Sequence, residues 1–183
     1  MYFNKTGSTN SISTVNIALE AAKTREINNI VIASNTGESA MLLAGEEQIN
    51  RVWVTLAYGY SKPGKNHFNK EMLNRAKNCG IKVLTTTHIL SGAERGISTL
   101  FGGAYPVEII ANTLRMFGQG VKVCVEISAM ALDAGLIPYG VPIIAIAGTD
   151  KGVDTSIVIT PAHANKIFDT KIHEILCKPL LKC

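Results

Sequence analysis

The segment Ser34-Asn35-Thr36-Gly37-Glu38-Ser39 sets small polar side chains and one glycine between an apolar run (VIA, 31–33) and a helical pattern (SAMLLA, 39–44). At such a junction the first backbone N–H groups of the helix lack acceptors and the helix dipole adds partial positive charge, so a phosphate is stabilised there. Gly37 permits close backbone approach, and Ser34, Asn35, Thr36 and Ser39 can add hydroxyl or amide bonds. Glu38 does not suit a purely cationic site, because a carboxylate beside a phosphate repels it; it is expected to point away or to complement the dipole. The same residues equally make an N-cap, with Thr36 or Ser39 satisfying its own helix and no ligand. If the loop holds a phosphate, Gly37→Val is expected to abolish binding while leaving the fold largely intact.

Other stretches carry weaker chemistry. GTDKGVDTS (148–156) combines two glycines and two aspartates, enough for an ordinary hairpin loop with Asx turns. THILSGAERGIS (87–98) offers His88, Ser91, Arg95 and Ser98. Nucleophilic catalysis needs a base and an orienting partner within reach, which a Ser and a His three residues apart do not establish. His88 suits a hydrogen-bonded position at a helix start, and Arg95 suits a phosphate or a flat carbonyl ligand through its guanidinium fork. YGY (58–60) and FGGAYP (101–106) put Tyr58, Tyr60 and Phe101 in loops, where an aromatic face can receive a planar ring or anchor a loop or subunit. Glu126 and Asp133 lie seven residues apart on one helical stretch. Acid–base work would need both in a pocket, whereas a solvated face or a structural ion pair needs less. The four cysteines form no CxxC pair and the histidines show no metal spacing, so buried reduced thiols are expected and no metal site.

The elements that must position these residues alternate. Apolar Val15, Ala18, Leu19 and Ala22 predict a helix over 10–25. Strand 30–34 precedes a helix from 37 to about 47, and RVWVTL (51–56) is a β-branched strand. A glycine-proline loop over 58–65 leads to a helix near 69–78, stopped by Gly80, and strand 81–86 follows. Over 88–105 the pattern dissolves, which marks a functional loop or a hidden short helix. Pro106 suits the first turn of a helix to about 117. Residues 121–135 read mainly as helix, although the first five also suit a strand. Segments 141–148, 155–161 and 171–179 read as strands, the first two joined tightly and therefore antiparallel. Such alternation predicts one α/β domain over 1–183, an open and mostly parallel sheet with helices on both faces.

Composition narrows the function. Hydrophobic residues at 46% and charged residues at 17% describe a globular chain. Net charge is +4, but the arginines at 25, 51, 75, 95 and 115 never cluster, so no nucleic-acid stripe forms. No apolar run approaches the ~20 residues of a membrane span, and the polar N-terminus has no secretory core. A cytoplasmic protein is expected, and the apolar 106–134 helices offer surface for a homo-oligomer.

The stretches HILSGAERGISTLFGGAYPVEIIANTLRMFGQGVKVCVEISAMALDAGLIP (88–138), IAIAGTDKGVDTSIVITPAHANKIFDTKIHEILCKP (144–179) and IASNTGESAMLLA (32–44) resemble a family of prokaryotic proteins similar to the pyruvate kinase C-terminal domain. The likeness spans essentially the whole chain. It implies a three-layer α/β/α sandwich and flavin mononucleotide (FMN) as ligand. It implies phosphate at 34–39, where pyruvate kinase holds a sugar-phosphate effector. It also implies a second ligand-facing loop containing Gly148, Thr149, Lys151, Asp154 and Thr155, with Asp154 and Thr155 at ribityl hydroxyls and Lys151 at the phosphate. The ring would lie against the 58–60 and 95–102 loops. Two functions stay open: a flavoprotein whose cofactor carries electrons, and a regulatory module that recognises a phosphorylated small molecule. These 183 residues leave no space for the ~250-residue catalytic barrel of pyruvate kinase, so that activity is not expected of them.

Overall fold

Apolar side chains alternate along each central strand, and the alternation sorts them into two separate cores. The computed structural model describes residues 1–180. Its elements are β1 (Tyr2–Phe3), α1 (Ser11–Thr24), β2 (Asn29–Ala33), α2 (Glu38–Met41), β3 (Asn50–Val54), α3 (Lys70–Asn78), β4 (Lys82–Leu84), α4 (Gly92–Phe101), α5 (Pro106–Arg115), α6 (Gln119–Asp133), β5 (Ile143–Ala147), β6 (Thr155–Thr160) and β7 (Lys171–Pro179). The sheet order is β1-β7-β6-β5-β2-β3-β4. Strands β2, β3, β4 and β5 run parallel, and β6 is antiparallel to both β5 and β7.

Ile30, Ile32, Trp53, Ile144 and Ile146 face one way, into a core closed by Val15, Ala18 and Ala22 of α1 and Ala76 of α3. Val31, Val52, Val54, Ile143, Ala145 and Ala147 face the other way, under Cys124, Ile127 and Ala131 of α6. Full burial of a Val, Ile or Leu side chain contributes about 1.5–3 kcal/mol, which makes these two layers the main source of stability. The expected three-layer α/β sandwich, with a mostly parallel sheet and antiparallel C-terminal strands, is the fold observed. α5 packs outside α6, and α4 buries no residue.

Local expectations met different fates. Gly80 at φ +73° ends α3, with Ile81 N–H bonded to Ala76 C=O at 3.0 Å. Pro106 opens α5, the pattern break at 88–105 contains α4, and 121–133 is helix throughout. The helix expected over 37–47 is a correction, since α2 has a single turn. Buried Arg51 explains its brevity. Its guanidinium donates to the carbonyls of Leu43 (3.0 Å), Ala44 (2.9 Å), Ile49 (3.2 Å) and Cys79 (2.8 Å), so these acceptors are satisfied without a continued helix. β1 was not expected; it adds to the free edge of β7 in parallel.

Cys124 and Cys177 are buried free thiols and Cys79 is half-buried, while Cys183 lies outside the described residues. Burial pushes the Cys124 thiol well above its usual pKa, with Cys177 and Asp154 adding to the effect, so it is a poor nucleophile. Among the described residues no helix is long and apolar enough to cross a membrane.

Candidate functional site

The helices that precede β2, β3 and β4 (α1, α2 and α3) cover one side of the sheet, whereas α6, which precedes β5, covers the opposite side. From the carboxyl ends of the adjacent strands β2 and β5 the chain goes on to β3 and to β6, which lie on opposite sides of the pair. This is the topological switch point at which open α/β sheets form a ligand crevice. The 34–37 turn leaves β2 there, flanked by the 148–154 loop on β5 and by the 55–60 segment on β3. Neighbouring strands lie only about 4.8 Å apart, so these three segments are brought together.

The β2 turn is built from behind by a tryptophan. Trp53 is fully buried, its Nε1–H donates to Ser34 C=O at 2.6 Å, and its ring meets Phe68 edge-on at 5.0 Å. Gly37 N–H donates to Ser34 Oγ at 3.0 Å, which closes the turn. Gly37 adopts φ +96°, and a Cβ there would stand 2.4 Å from Met72 Cγ and 2.8 Å from Trp53 Cη2. The glycine is thus required by the protein interior behind the loop, which corrects the expectation that its valine variant would leave the fold intact. Asn35 and Thr36 are exposed, Ser34 and Ser39 are buried, and Glu38 points to solvent. As at any helix start, the N–H groups of Glu38, Ser39 and Ala40 find no acceptor among the described residues.

The β5 loop is fastened to the N-terminus. Asp154 is fully buried and accepts from Gly7 N–H (2.9 Å), Thr149 N–H (3.3 Å) and Thr155 Oγ1–H (2.9 Å). Val153 N–H donates to Ser11 Oγ at 3.0 Å. Thr155 is buried against α6, where a Cβ on Gly120 would approach its Oγ1 to 2.1 Å. Asp154 and Thr155, expected at ribityl hydroxyls, instead have their polar atoms engaged within the chain. Thr149 and Lys151 are exposed, and Gly148 is half-buried below them.

The third wall holds the aromatics. Thr55 and Thr85 join their hydroxyls at 2.8 Å, His88 Nε2 lies 3.4 Å from Thr55 C=O, and the His88 ring faces Tyr60 at 5.8 Å. Tyr60 is exposed; Tyr58 is also exposed but spends its hydroxyl on Gly64 C=O at 2.5 Å, as a loop anchor does. Exposed Arg95 directs Nε–H to Ser91 Oγ at 2.8 Å. Phe101 ends α4 six residues on, roughly 9 Å along the axis, and is 73% exposed.

Residues the sequence did not single out complete the arrangement. Gly7 and Ser11 hold the β5 loop, and Thr55 and Thr85 bridge β3 to β4. Lys122 and Glu126 form a buried ion pair at 2.6 Å, the structural alternative open for Glu126. Asp133 instead pairs on the surface with His163 at 2.6 Å. The hydroxyl-rich strand ends, VTL and LTTT, were the signal for the Thr55–Thr85 bridge. Two cavities, of about 600 and 550 Å³, lie toward the opposite edge around Ile109, Ile172 and Phe168 and around Tyr139, Thr160 and Lys171, and none of the candidate residues lines them.

A family model described as pyruvate kinase, alpha/beta domain, matches residues 12–159. The chain belongs to the pyruvate kinase alpha/beta domain family. The matched span runs from α1 to β6 and includes the 34–40 and 148–154 segments, whereas β1 and β7 lie outside it. Among solved structures this family member is similar to Cryptosporidium parvum pyruvate kinase in complex with ADP, with 17% identity over 75% of this chain and 20% of that one, at a TM-score of 0.37. A second crystal structure of Cryptosporidium parvum pyruvate kinase matches at 16% identity over 88% and 21% of the two chains, with a TM-score of 0.33. The chain spans about a fifth of the length of these enzymes.

Proposed function

We propose that this pyruvate kinase alpha/beta domain protein binds flavin mononucleotide at the carboxyl edge of its sheet, with the phosphate against residues 35–40. One observation carries the proposal. At the switch point between β2 and β5, the N–H groups of Glu38, Ser39 and Ala40 find no acceptor among the described residues, on a turn that leaves β2 beside the strand carrying the 148–152 loop. Lys151 and Arg95 are exposed and neither enters an ion pair among the described residues, so both are free to neutralise a phosphate dianion or a reduced flavin. Tyr60 and His88, whose rings lie 5.8 Å apart at 37° to one another, offer aromatic faces for the ring. The sequence resemblance to FMN-binding proteins supports the choice of nucleotide. The flavin would supply the electron chemistry, and the residues around it would supply position and charge.

Titration of the protein with FMN, followed by flavin fluorescence and by emission of the single tryptophan, tests the proposal. FMN is expected to bind at least tenfold more tightly than riboflavin, because each charge-assisted bond to the phosphate contributes about 1.5–3 kcal/mol. Equal affinities, or no binding of either, would show that the 34–40 turn serves only its own helix.

A second measurement separates a redox protein from a ligand sensor. If the bound flavin cycles, Arg95 near its electron-rich edge favours the anionic reduced form. Arg95→Ala is then expected to lower the two-electron potential by about 30–65 mV, the equivalent of one charged contact. A potential indifferent to Arg95, with no reduction by NAD(P)H, assigns the protein to the recognition of a phosphorylated small molecule instead.

A further inference from the structure

Of the three ion pairs among the described residues, only Lys122–Glu126 is buried, with side-chain exposures of 6% and 4%. A buried pair is a weak source of net stability, because desolvation of both charges offsets their attraction. Its geometry suggests another use. Glu126 Oε2 takes the Lys122 ammonium at 2.6 Å, and Oε1 accepts the backbone N–H of Leu90 at 3.0 Å. Leu90 belongs to the connection between β4 and α4. From it the chain runs through Ser91, whose N–H donates to His88 C=O at 3.2 Å and whose hydroxyl accepts from Arg95. His88 and Arg95 are the ring-facing and charge-bearing groups of the third wall. α4 itself buries nothing. It is tied to α5, where Glu94 Oε2 accepts Glu108 N–H at 3.1 Å and Ser98 Oγ donates to Glu108 Oε1 at 2.6 Å. At its inner end the wall is held by the Thr55–Thr85 bridge and by Leu90.

We infer that Glu126 is a positioning residue for the carboxyl-edge site. Lys122, one turn earlier on α6, orients its carboxylate, and the carboxylate fixes Leu90 N–H and with it the placement of His88 and Arg95. α6 thereby sets the distance between the third wall and the β2 turn. This inference rests on the FMN-binding proposal for its functional consequence, but the anchoring itself can be measured without ligand.

The test compares the full wild-type chain with the double variant Lys122→Met/Glu126→Leu. The double change removes both charges together and leaves no lone charge buried, whereas Glu126→Gln alone retains an acceptor for Leu90 but strands Lys122. Amide hydrogen exchange, the urea midpoint and FMN affinity are read on each. In the double variant, exchange over 88–95 is expected to rise at least tenfold while amides of β2, β3 and β5 keep their wild-type rates. FMN affinity is expected to fall about tenfold at an unchanged urea midpoint. If Glu126→Gln folds, its Leu90 amide is expected to stay closer to the wild-type rate. Wild-type exchange over 88–95 in the double variant would overturn the anchoring. Faster exchange with unaltered FMN affinity would overturn the positioning role. A wild-type protein that binds no FMN would refute the binding proposal by itself, and the exchange comparison would still decide whether Glu126 holds the wall.

Discussion

Gly37→Val is expected to lower the unfolding free energy by roughly 2–5 kcal/mol, a large share of the 5–15 kcal/mol typical of a domain. Two costs combine. At φ +96° a β-branched residue is a backbone outlier, which costs about 1–2 kcal/mol. The added side chain also enters occupied space, 2.4 Å from Met72 Cγ and 2.8 Å from Trp53 Cη2 at its Cβ alone. Met72 is half-buried on α3 and can swing aside. Trp53 cannot, because its indole N–H is held by Ser34 C=O and its ring lies against Phe68. Overpacking of this kind costs about 1–3 kcal/mol. Urea denaturation followed by tryptophan emission and circular dichroism would report the loss, with Gly37→Ala falling between the valine variant and wild type. A wild-type midpoint for the valine variant would mean that α3 moves away freely and that the turn is not tied to the core.

Asp154→Ala is expected to be comparably damaging, at about 2–5 kcal/mol. The carboxylate is fully buried, and hydrogen bonds to a charged acceptor contribute about 1.5–3 kcal/mol each. Its loss strands the N–H of Gly7 and the hydroxyl of Thr155 away from water, while Thr149 N–H lies near the surface and can turn to solvent. Asp154→Asn keeps one acceptor oxygen and is expected to lose less. Denaturant midpoints give the magnitude. Hydrogen exchange gives the place, because residues 7–10 and 148–153 should open together before the sheet does. Unfolding of the alanine variant at the wild-type midpoint would show that the N-terminal segment is held by β1 and α1 alone.

Both variants touch positions that the sequence marked for a ligand, and both are now expected to act first on the fold. The phosphate alternative for 34–39 survives in part. Asn35 and Thr36 are exposed and the first-turn N–H groups lack acceptors among the described residues, but Gly37 is a glycine because of Trp53. Likewise Lys151 and Thr149 stay at the surface, whereas Asp154 binds the loop to a glycine 147 residues away. A glycine or an aspartate in a loop has the same local appearance whichever side of it is occupied.

What the sequence determined by itself was whatever depends on near neighbours. The alternation of Ile30, Val31 and Ile32 and of Val52, Trp53 and Val54 defined strands with two apolar faces. The 3–4 spacing of Val15, Ala18 and Ala22 defined α1, and Gly80 and Pro106 bounded two further helices. Together these implied the parallel sheet with covered faces, since backbone period and chain crossover are local rules. The tertiary structure alone decided which polar groups are spent. Arg51 shortened α2 by taking carbonyls from two different segments, Asp154 was consumed by Gly7, and Glu126 was tied to Leu90 36 residues upstream. Hydrogen-bond partners are chosen by proximity in space, and a buried donor or acceptor takes whichever counterpart the folded chain delivers.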